Sequence, residues 1–237
     1  VQALIDADFE LRAGEHVAIM GDNGAGKSTF VRQITGVERP TAGTIWFDGQ
    51  ARQFDGPLDA REAGIECVFQ NLALCDDLDV PANLFLGREV IRWNLGPFSI
   101  LDRRAMRAAT EAALQRTAVK IPNLAGTIRH MSGGQRQCVA IARTATFASK
   151  LIVMDEPTAA LGVQETAMVA ELIQELKRQG LGIFLIDHDI HQVMKMCDRA
   201  SVMKNGQLVG TVNVKDVTED DILGMIILGK MPERAVA

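Results

Sequence analysis

Short apolar runs that stop at a glycine or an acid alternate with stretches of helical spacing along much of the chain. The runs EHVAIM, GIECVFQ, KLIVMD and LGIFLID predict strands at 15–20, 64–70, 150–155 and 181–187. The patterns FVRQITG, QETAMVAELIQELKRQG and IHQVMKMCD predict helices at 30–36, 164–180 and 190–198. Because strands alternate with helices, we expect an α/β fold with a largely parallel sheet.

Two further segments have turn signals instead of a following helix. RPTAGTIWFDGQ (39–50) predicts a strand between two turns, and ASVMKNGQLVG (200–210) predicts a strand folded back at Asn205-Gly206. We expect a small antiparallel β region near 1–12 and 43–55.

The middle of the chain has a different character. RRAMRAATEAALQRTAV (103–119) is alanine-rich with helical spacing, and strand signals are absent from about 71 to 150. We therefore predict one domain over 1–237, with a core at 1–70 and 151–237 and an inserted helical subdomain at 71–150.

Composition restricts the class of protein. The chain is 47% apolar and 23% charged, with a net charge of −5 and no long basic run, which argues against a nucleic-acid-binding surface. Its four cysteines show no CxxC spacing and are expected to be free thiols in a reducing compartment. No apolar run is long enough to span a bilayer and we expect no signal peptide, so membrane contact is expected through a partner.

The segment GDNGAGKST matches the phosphate-loop pattern GxxxxGK(S/T) between a predicted strand and a predicted helix. Its glycines let consecutive backbone N–H groups face a phosphate, Lys27 reaches the β- and γ-phosphates, and the Ser28 hydroxyl binds Mg²⁺. The candidate nucleotide-binding residues are Gly21, Asp22, Asn23, Gly24, Ala25, Gly26, Lys27, Ser28 and Thr29.

Two acids and a histidine follow other predicted strands. LIVMDEPTAALG (151–162) delivers Asp155 as a Mg²⁺ ligand and Glu156 as the group that polarises the attacking water. A helix cap before Pro157 would explain one acid but not both. His188, after LGIFLID, is placed to contact the γ-phosphate and orient that water.

MSGGQRQ (131–137) opens the helix CVAIARTATFA with a serine suited to capping. A helix N-terminus also suits an anion, although the chain already has a phosphate loop a hundred residues earlier.

In chain order the phosphate loop, Gln70 at a strand end, MSGGQ, LIVMDE and a late histidine resemble the ATPase subunits of ABC transporters over essentially the whole chain. This resemblance implies a RecA-like P-loop core that uses ATP and Mg²⁺, with Gln70 as a nucleotide-sensing metal ligand. It also implies a head-to-tail homodimer, or pairing with a second ATPase domain. Each SGGQ segment then contacts the partner's γ-phosphate through Ser132, Gly133, Gly134 and Gln135.

GIECVFQNLALCDDLDVPANLFLGRE and MDEPTAALGVQE further resemble monosaccharide importers of the ribose, xylose and fructose type, in particular the fructose branch with one ATPase domain per chain. The implied function is ATP hydrolysis driving sugar uptake through separate membrane permease subunits, with a periplasmic or extracellular sugar-binding protein. The implied location is peripheral, on the cytoplasmic face of a bacterial inner membrane. The alternatives are a soluble ABC ATPase acting on ribosomes or DNA, a detached exporter domain, and a regulatory subunit without turnover.

The same resemblance implies that the segment after Gln70 forms the socket for a permease helix, through Leu72, Leu74, Leu78, Val80, Phe85, Asp76 and Asp77.

Three departures from the family pattern matter. Gly162 stands where an aspartate is usual, and Asp187 precedes the histidine but is expected to turn away from the nucleotide. The family's spacing places the adenine-stacking aromatic just before Val1, in a chain that starts without methionine and that we expect to be trimmed. Weak ATP binding and poor discrimination against GTP are therefore expected of it.

Overall fold

The computed structural model describes residues 3–95 and 98–232. The strands are β1 (His16–Met20), β2 (Ile45–Phe47), β3 (Gln50–Arg52), β4 (Ile65–Val68), β5 (Ile91–Leu95), β6 (Phe98–Leu101), β7 (Leu151–Asp155), β8 (Gly182–Ile186), β9 (Arg199–Lys204) and β10 (Gln207–Asn213). The helices are α1 (Lys27–Ile34), α2 (Pro57–Ala63), α3 (Val80–Leu84), α4 (Arg103–Arg116), α5 (Gly133–Phe147), α6 (Val163–Arg178), α7 (Ile190–Met196) and α8 (Glu219–Leu228), with a 3₁₀ turn at Ile128–His130.

Six strands form the main sheet in the order β10-β9-β1-β8-β7-β4. β1 pairs in parallel with β8 and β9, and β7 pairs in parallel with β8, so the predicted parallel sheet is confirmed. β1 and β8 are buried along their whole length, as expected of apolar runs covered on both faces. The carboxyl ends of β1, β7 and β8 therefore lie side by side at one edge of the sheet.

The predicted hairpin at Asn205-Gly206 is also confirmed. β9 and β10 pair antiparallel, and both turn residues have positive φ, at 49° and 77°. A two-residue turn of this kind matches the twist of the strands it joins, which is why Asn-Gly is a strong hairpin signal.

The chain forms two compact units. The first comprises 1–67, 148–156 and 177–237, and the second comprises 68–147 and 157–176. The first unit has an apolar core that includes Ile19, Val31, Ile65, Val153 and Phe184. The second has its own core, which includes Val80, Leu84, Met106, Ile128 and Val139. The boundaries inferred from the sequence at 71 and 150 stay a prediction.

Two expectations about strands were wrong. Between 71 and 150 the structure has an antiparallel hairpin, β5 with β6, where no strand was predicted. The apolar–polar alternation in each of these two strands is only a few residues long, so it gives a weak signal. Within residues 3–12 the backbone forms no strand and makes only an isolated parallel bridge from Asp6 to Gln207. The antiparallel region near 43–55 is present, as β2 and β3.

None of the helices among the described residues is long and apolar enough to cross a membrane.

Candidate functional site

The phosphate loop joins the end of β1 to α1 in the first unit. Gly21 has φ 146°, and a Cβ at this position would lie 2.2 Å from the carbonyl oxygen of Met203, so only glycine fits. Gly26, with φ 105°, stands at the N-cap of α1. The intervening residues 22–24 are exposed, which leaves the loop open to a ligand.

The N-terminus of α1 differs from other helix starts in the described part of the chain. It has no side-chain cap and no acid in its first turn. Side chains cap other helices, among them Asp79 on α3, Asp102 on α4, Asp189 on α7 and Thr218 on α8. Because uncapped N–H groups and the helix dipole both favour negative charge, α1 presents a site for a phosphate.

Lys27 lies across this loop. Its Nζ donates to the carbonyl oxygens of Gly21 and Asp22. Partial burial lowers the pKa of the ammonium, while the nearby negative charges of Glu156, Asp22 and Asp155 oppose that shift. The lysine charge is therefore within the electrostatic reach of both acids at the carboxyl end of β7.

Asp155 and Glu156 lie at the carboxyl end of β7. Burial and the neighbouring charge of Glu156 raise the pKa of Asp155, and the charge of Lys27 partly offsets this. The Glu156 N–H donates to the carbonyl oxygen of Ile186 at 2.9 Å, which ties it to the end of β8. Glu156 has φ 48°, an uncommon conformation for a residue with a side chain, and such strain concentrates at functional sites.

His188 is brought to Glu156 by the next strand. Its Nδ1 lies 3.0 Å from Glu156 Oε1, and the imidazole is 68% exposed whereas the Glu156 side chain is 26% exposed. Asp187 is buried, and its Oδ1 accepts a hydrogen bond from the backbone N–H of Asp189. Asp187 is thus buried whereas the exposed His188 contacts Glu156, and the orientation of Asp187 relative to a nucleotide stays a prediction.

The SGGQ segment (residues 132–135) begins α5 in the second unit. Ser132 Oγ accepts from the backbone N–H of Gln135 at 3.3 Å, and Gln135 Oε1 accepts from the backbone N–H of Ser132 at 3.0 Å. This reciprocal pair is a capping box, so the predicted serine cap is confirmed. Gln135 acts as the second half of that cap.

The sequence did not predict that Glu165 contacts the SGGQ segment. Its Oε1 accepts from the Gly134 N–H at 3.1 Å, and its Oε2 accepts from the Gly162 N–H at 3.3 Å. These donors, with the Ser132 side chain second in importance after Gly134, lower the pKa of Glu165. The only sequence signal was a glutamate three residues after Gly162 at a helix start, which is half of a capping box.

The remaining candidates are placed as follows. Gln70 is exposed two residues beyond the end of β4 in the second unit, and its metal and catalytic roles stay predictions. Ser28 is exposed in the first turn of α1. Among the described residues there is no group of three His, Cys, Asp or Glu that could hold a metal ion. All four cysteines are free, as expected.

The predicted socket is only partly open. Val80 and Phe85 are buried in the second unit's core, so they cannot form a docking surface. Asp76 pairs with Arg136 at 2.7 Å and Asp77 pairs with Arg129 at 2.6 Å, and Asp77 and Leu78 also line a groove.

A parallel sheet whose strand ends carry a phosphate loop, a lysine, two acids and a histidine defines a P-loop nucleotide-hydrolysing domain. The family model described as ABC transporter matches residues 4–159. The chain belongs to the ABC transporter family, as an ATP-binding ATPase.

Its relatives include sugar-import proteins. The fructose import ATP-binding protein FrcA of Rhizobium meliloti is 44% identical over 237 residues, 99% of this chain and 91% of that protein. The xylose/arabinose import ATP-binding protein XylG of Sulfolobus acidocaldarius is 40% identical, over 98% and 91%. The ribose import ATP-binding protein RbsA 2 of Burkholderia cenocepacia is also 40% identical, over 96% of this chain but 44% of its own length.

Solved ABC domains share the fold. CbiO1 of Clostridium perfringens, part of the transporter complex cbiONQ, has a TM-score of 0.77 at 29% identity, covering 96% of this chain and 89% of that one. The cassette MJ0796, in a dimeric post-hydrolysis state with ADP and Pi, has a TM-score of 0.72 at 25% identity, covering 90% of each chain.

Proposed function

We propose that this chain is the ATP-hydrolysing subunit of an ABC importer that takes up a sugar, most simply a monosaccharide, through separate membrane subunits. The observation that carries the proposal is the meeting of Lys27, Asp155, Glu156 and His188 around the phosphate loop. The sugar-import relatives, with FrcA and XylG aligned over nearly their whole length, support the transport part.

The residues of the site fit a nucleoside triphosphate with Mg²⁺. The uncapped α1 N-terminus and the glycine loop offer backbone donors, and Lys27 supplies a positive charge. Ser28 and Asp155 of the first unit would supply oxygen ligands to Mg²⁺. When bound, Mg²⁺ neutralises charge on the phosphates.

Three side chains have separate roles in ATP hydrolysis. Lys27 holds the phosphates through its ammonium and balances their charge. Glu156 is the general base that polarises the attacking water, because its carboxylate is partly shielded beside the loop. His188 fixes that carboxylate through Nδ1, which leaves Nε2 to contact the γ-phosphate.

Pairing completes the site. We propose a head-to-tail homodimer, or pairing with a second ATPase domain, in which Ser132, Gly133, Gly134 and Gln135 contact the ATP held by the partner. The capped start of α5 gives these residues a fixed backbone and a dipole that favours the γ-phosphate.

A groove in the second unit is the proposed docking site for a permease helix. It has a volume of about 580 Å³, and the apolar residues that line it include Leu78, Ala82, Leu101 and Met106. Charged residues line it too, among them Asp77 and Arg103, so a helix with an apolar face and charged flanks would fit. The chain would then work peripherally at the cytoplasmic face of a bacterial inner membrane, with an external sugar-binding protein as an indirect partner and no nucleic acid.

Substitution of Glu156 tests the catalytic assignment. Glu156→Gln should still bind ATP, while phosphate release falls by a factor of roughly 10² to 10⁴, the range for loss of a general base. Glu171→Gln, the same charge change at an exposed position of α6, is the matched control and should hydrolyse ATP at the normal rate. Normal turnover in Glu156→Gln would refute the assignment.

Filling the groove tests the permease site separately. Ala82→Trp places an indole in the groove, whereas Ala108→Trp places one on the exposed face of α4, outside the groove. Sugar uptake by cells should fall only with Ala82→Trp, and the ATPase rate of the isolated chain should be unchanged by either. Equal uptake with both variants would show that this groove is not the docking site.

A further inference from the structure

The Glu165 carboxylate is bonded to the donors that begin α5. Its two oxygens accept from the backbone N–H groups of Gly134 and Gly162, and the Ser132 side chain adds a third hydrogen bond. The approach is close: a Cβ on Gly134 would lie 2.7 Å from the Cβ of Glu165. Glycine at 134 is therefore needed for the carboxylate to come this near.

This contact explains how the chain accommodates Gly162. The glycine precedes α6 and has no side chain to cap that helix, and Glu165, at the third helical position, reaches back to the Gly162 N–H instead. The negative charge near Gly162 is therefore the carboxylate of Glu165. It lies against the SGGQ segment of the same subunit.

We propose that Glu165 occupies the donors of the SGGQ segment in the unpaired subunit and is displaced from them by the γ-phosphate of the partner's ATP. The inference rests on the proposed function, because the phosphate comes from the paired subunit. A backbone N–H that already donates to a carboxylate is not free for a phosphate oxygen. Two anions at one helix N-terminus also repel each other.

The carboxylate therefore opposes pairing until ATP is abundant. Glu165→Gln keeps the shape of the side chain and one acceptor oxygen but removes the charge. One charge at a helix N-terminus changes an equilibrium constant by about two- to fivefold. Because a symmetric dimer has two such sites, we expect the dimerisation constant to rise by roughly 4- to 25-fold.

The experiment uses the Glu156→Gln chain, in which slow hydrolysis preserves ATP-bound dimers. ATP and Mg²⁺ are titrated against this chain with and without Glu165→Gln, and the dimer fraction is measured by analytical ultracentrifugation. Glu171→Gln on the same background is the control for removing one charge from α6. Dimers should form at several-fold lower ATP with Glu165→Gln and at unchanged ATP with Glu171→Gln.

The result distinguishes two roles for Glu165: competing with the γ-phosphate for the SGGQ donors, or only holding the SGGQ segment in place. If Glu165 only holds the loop and the helix together, its replacement weakens the SGGQ segment, and more ATP is needed for pairing. An unchanged or increased ATP requirement with Glu165→Gln would therefore overturn the proposed exchange alone. Absence of ATP-dependent dimers in every variant would overturn both the exchange and the proposed pairing.

Discussion

We expect His16 to contribute measurably to the pH dependence of stability. It begins β1 with a fully buried side chain, and its Nδ1 lies 3.2 Å from the carbonyl oxygen of Met196. Burial lowers the pKa of this imidazole to about 4, and the nearby charge of Lys177 adds to the shift, although the Met196 carbonyl and the Asp198 carboxylate oppose it. In the unfolded chain the pKa is about 6.5.

These two pKa values give the direction and the size of the change in unfolding free energy that His16 causes. Between pH 6.5 and pH 4 the unfolded state binds a proton that the folded state does not, so stability is present above pH 6.5 and is lost on acidification. With pKa values of about 4 folded and about 6.5 unfolded, the loss from pH 7 to pH 5 is about 2 kcal/mol.

The assay is urea unfolding at pH 7 and pH 5. His16→Leu cannot titrate, so its loss of stability over this interval should be smaller than the wild-type loss by about 2 kcal/mol, whatever its stability at pH 7. His130→Gln, which removes an exposed imidazole, should keep the wild-type loss. Equal pH dependence in wild type and His16→Leu would refute the reasoning.

Two other predictions follow from the first unit and the cysteines. Gly21→Ala should abolish binding of a fluorescent ATP analogue and lower the free energy of unfolding by about 2–5 kcal/mol. The reason is that the new Cβ overlaps the Met203 carbonyl at a positive φ. Normal nucleotide binding would contradict this. A thiol reagent at pH 8 should label the exposed Cys75 first in mass spectrometry, and rapid labelling of the others would contradict it. Burial raises the thiol pKa of Cys67, Cys138 and Cys197.

The sequence predicted the strands and helices that carry the proposed catalytic groups. Asp155 and His188 follow strands of four or five buried apolar residues, and such runs, alternating with helices, determine a parallel sheet whose carboxyl ends meet. Periodicity could not predict the positive φ of Glu156 or its bond to the end of β8. Those depend on how two strands far apart in the chain are paired.

The same limit explains what was missed. Glu165 contacts Gly134 across 31 residues, and nothing local to either residue signals that approach. Val80 and Phe85 were expected at a docking surface, but both are buried in the second unit's core. Large apolar side chains of a short connector usually pack into the nearest core. The β5–β6 hairpin is held by pairing between two strands, each too short for a clear pattern.

Mixing two inactive variants tests the central claim most directly. Lys27→Ala disables the phosphate loop, and Ser132→Arg disables the SGGQ segment. If each site joins the phosphate loop of one subunit to the SGGQ segment of the other, a mixed dimer has one intact site. Random pairing makes about half of the dimers mixed, so equal mixtures should recover up to about a quarter of the wild-type ATPase rate. A mixture no more active than the two variants apart would contradict the account.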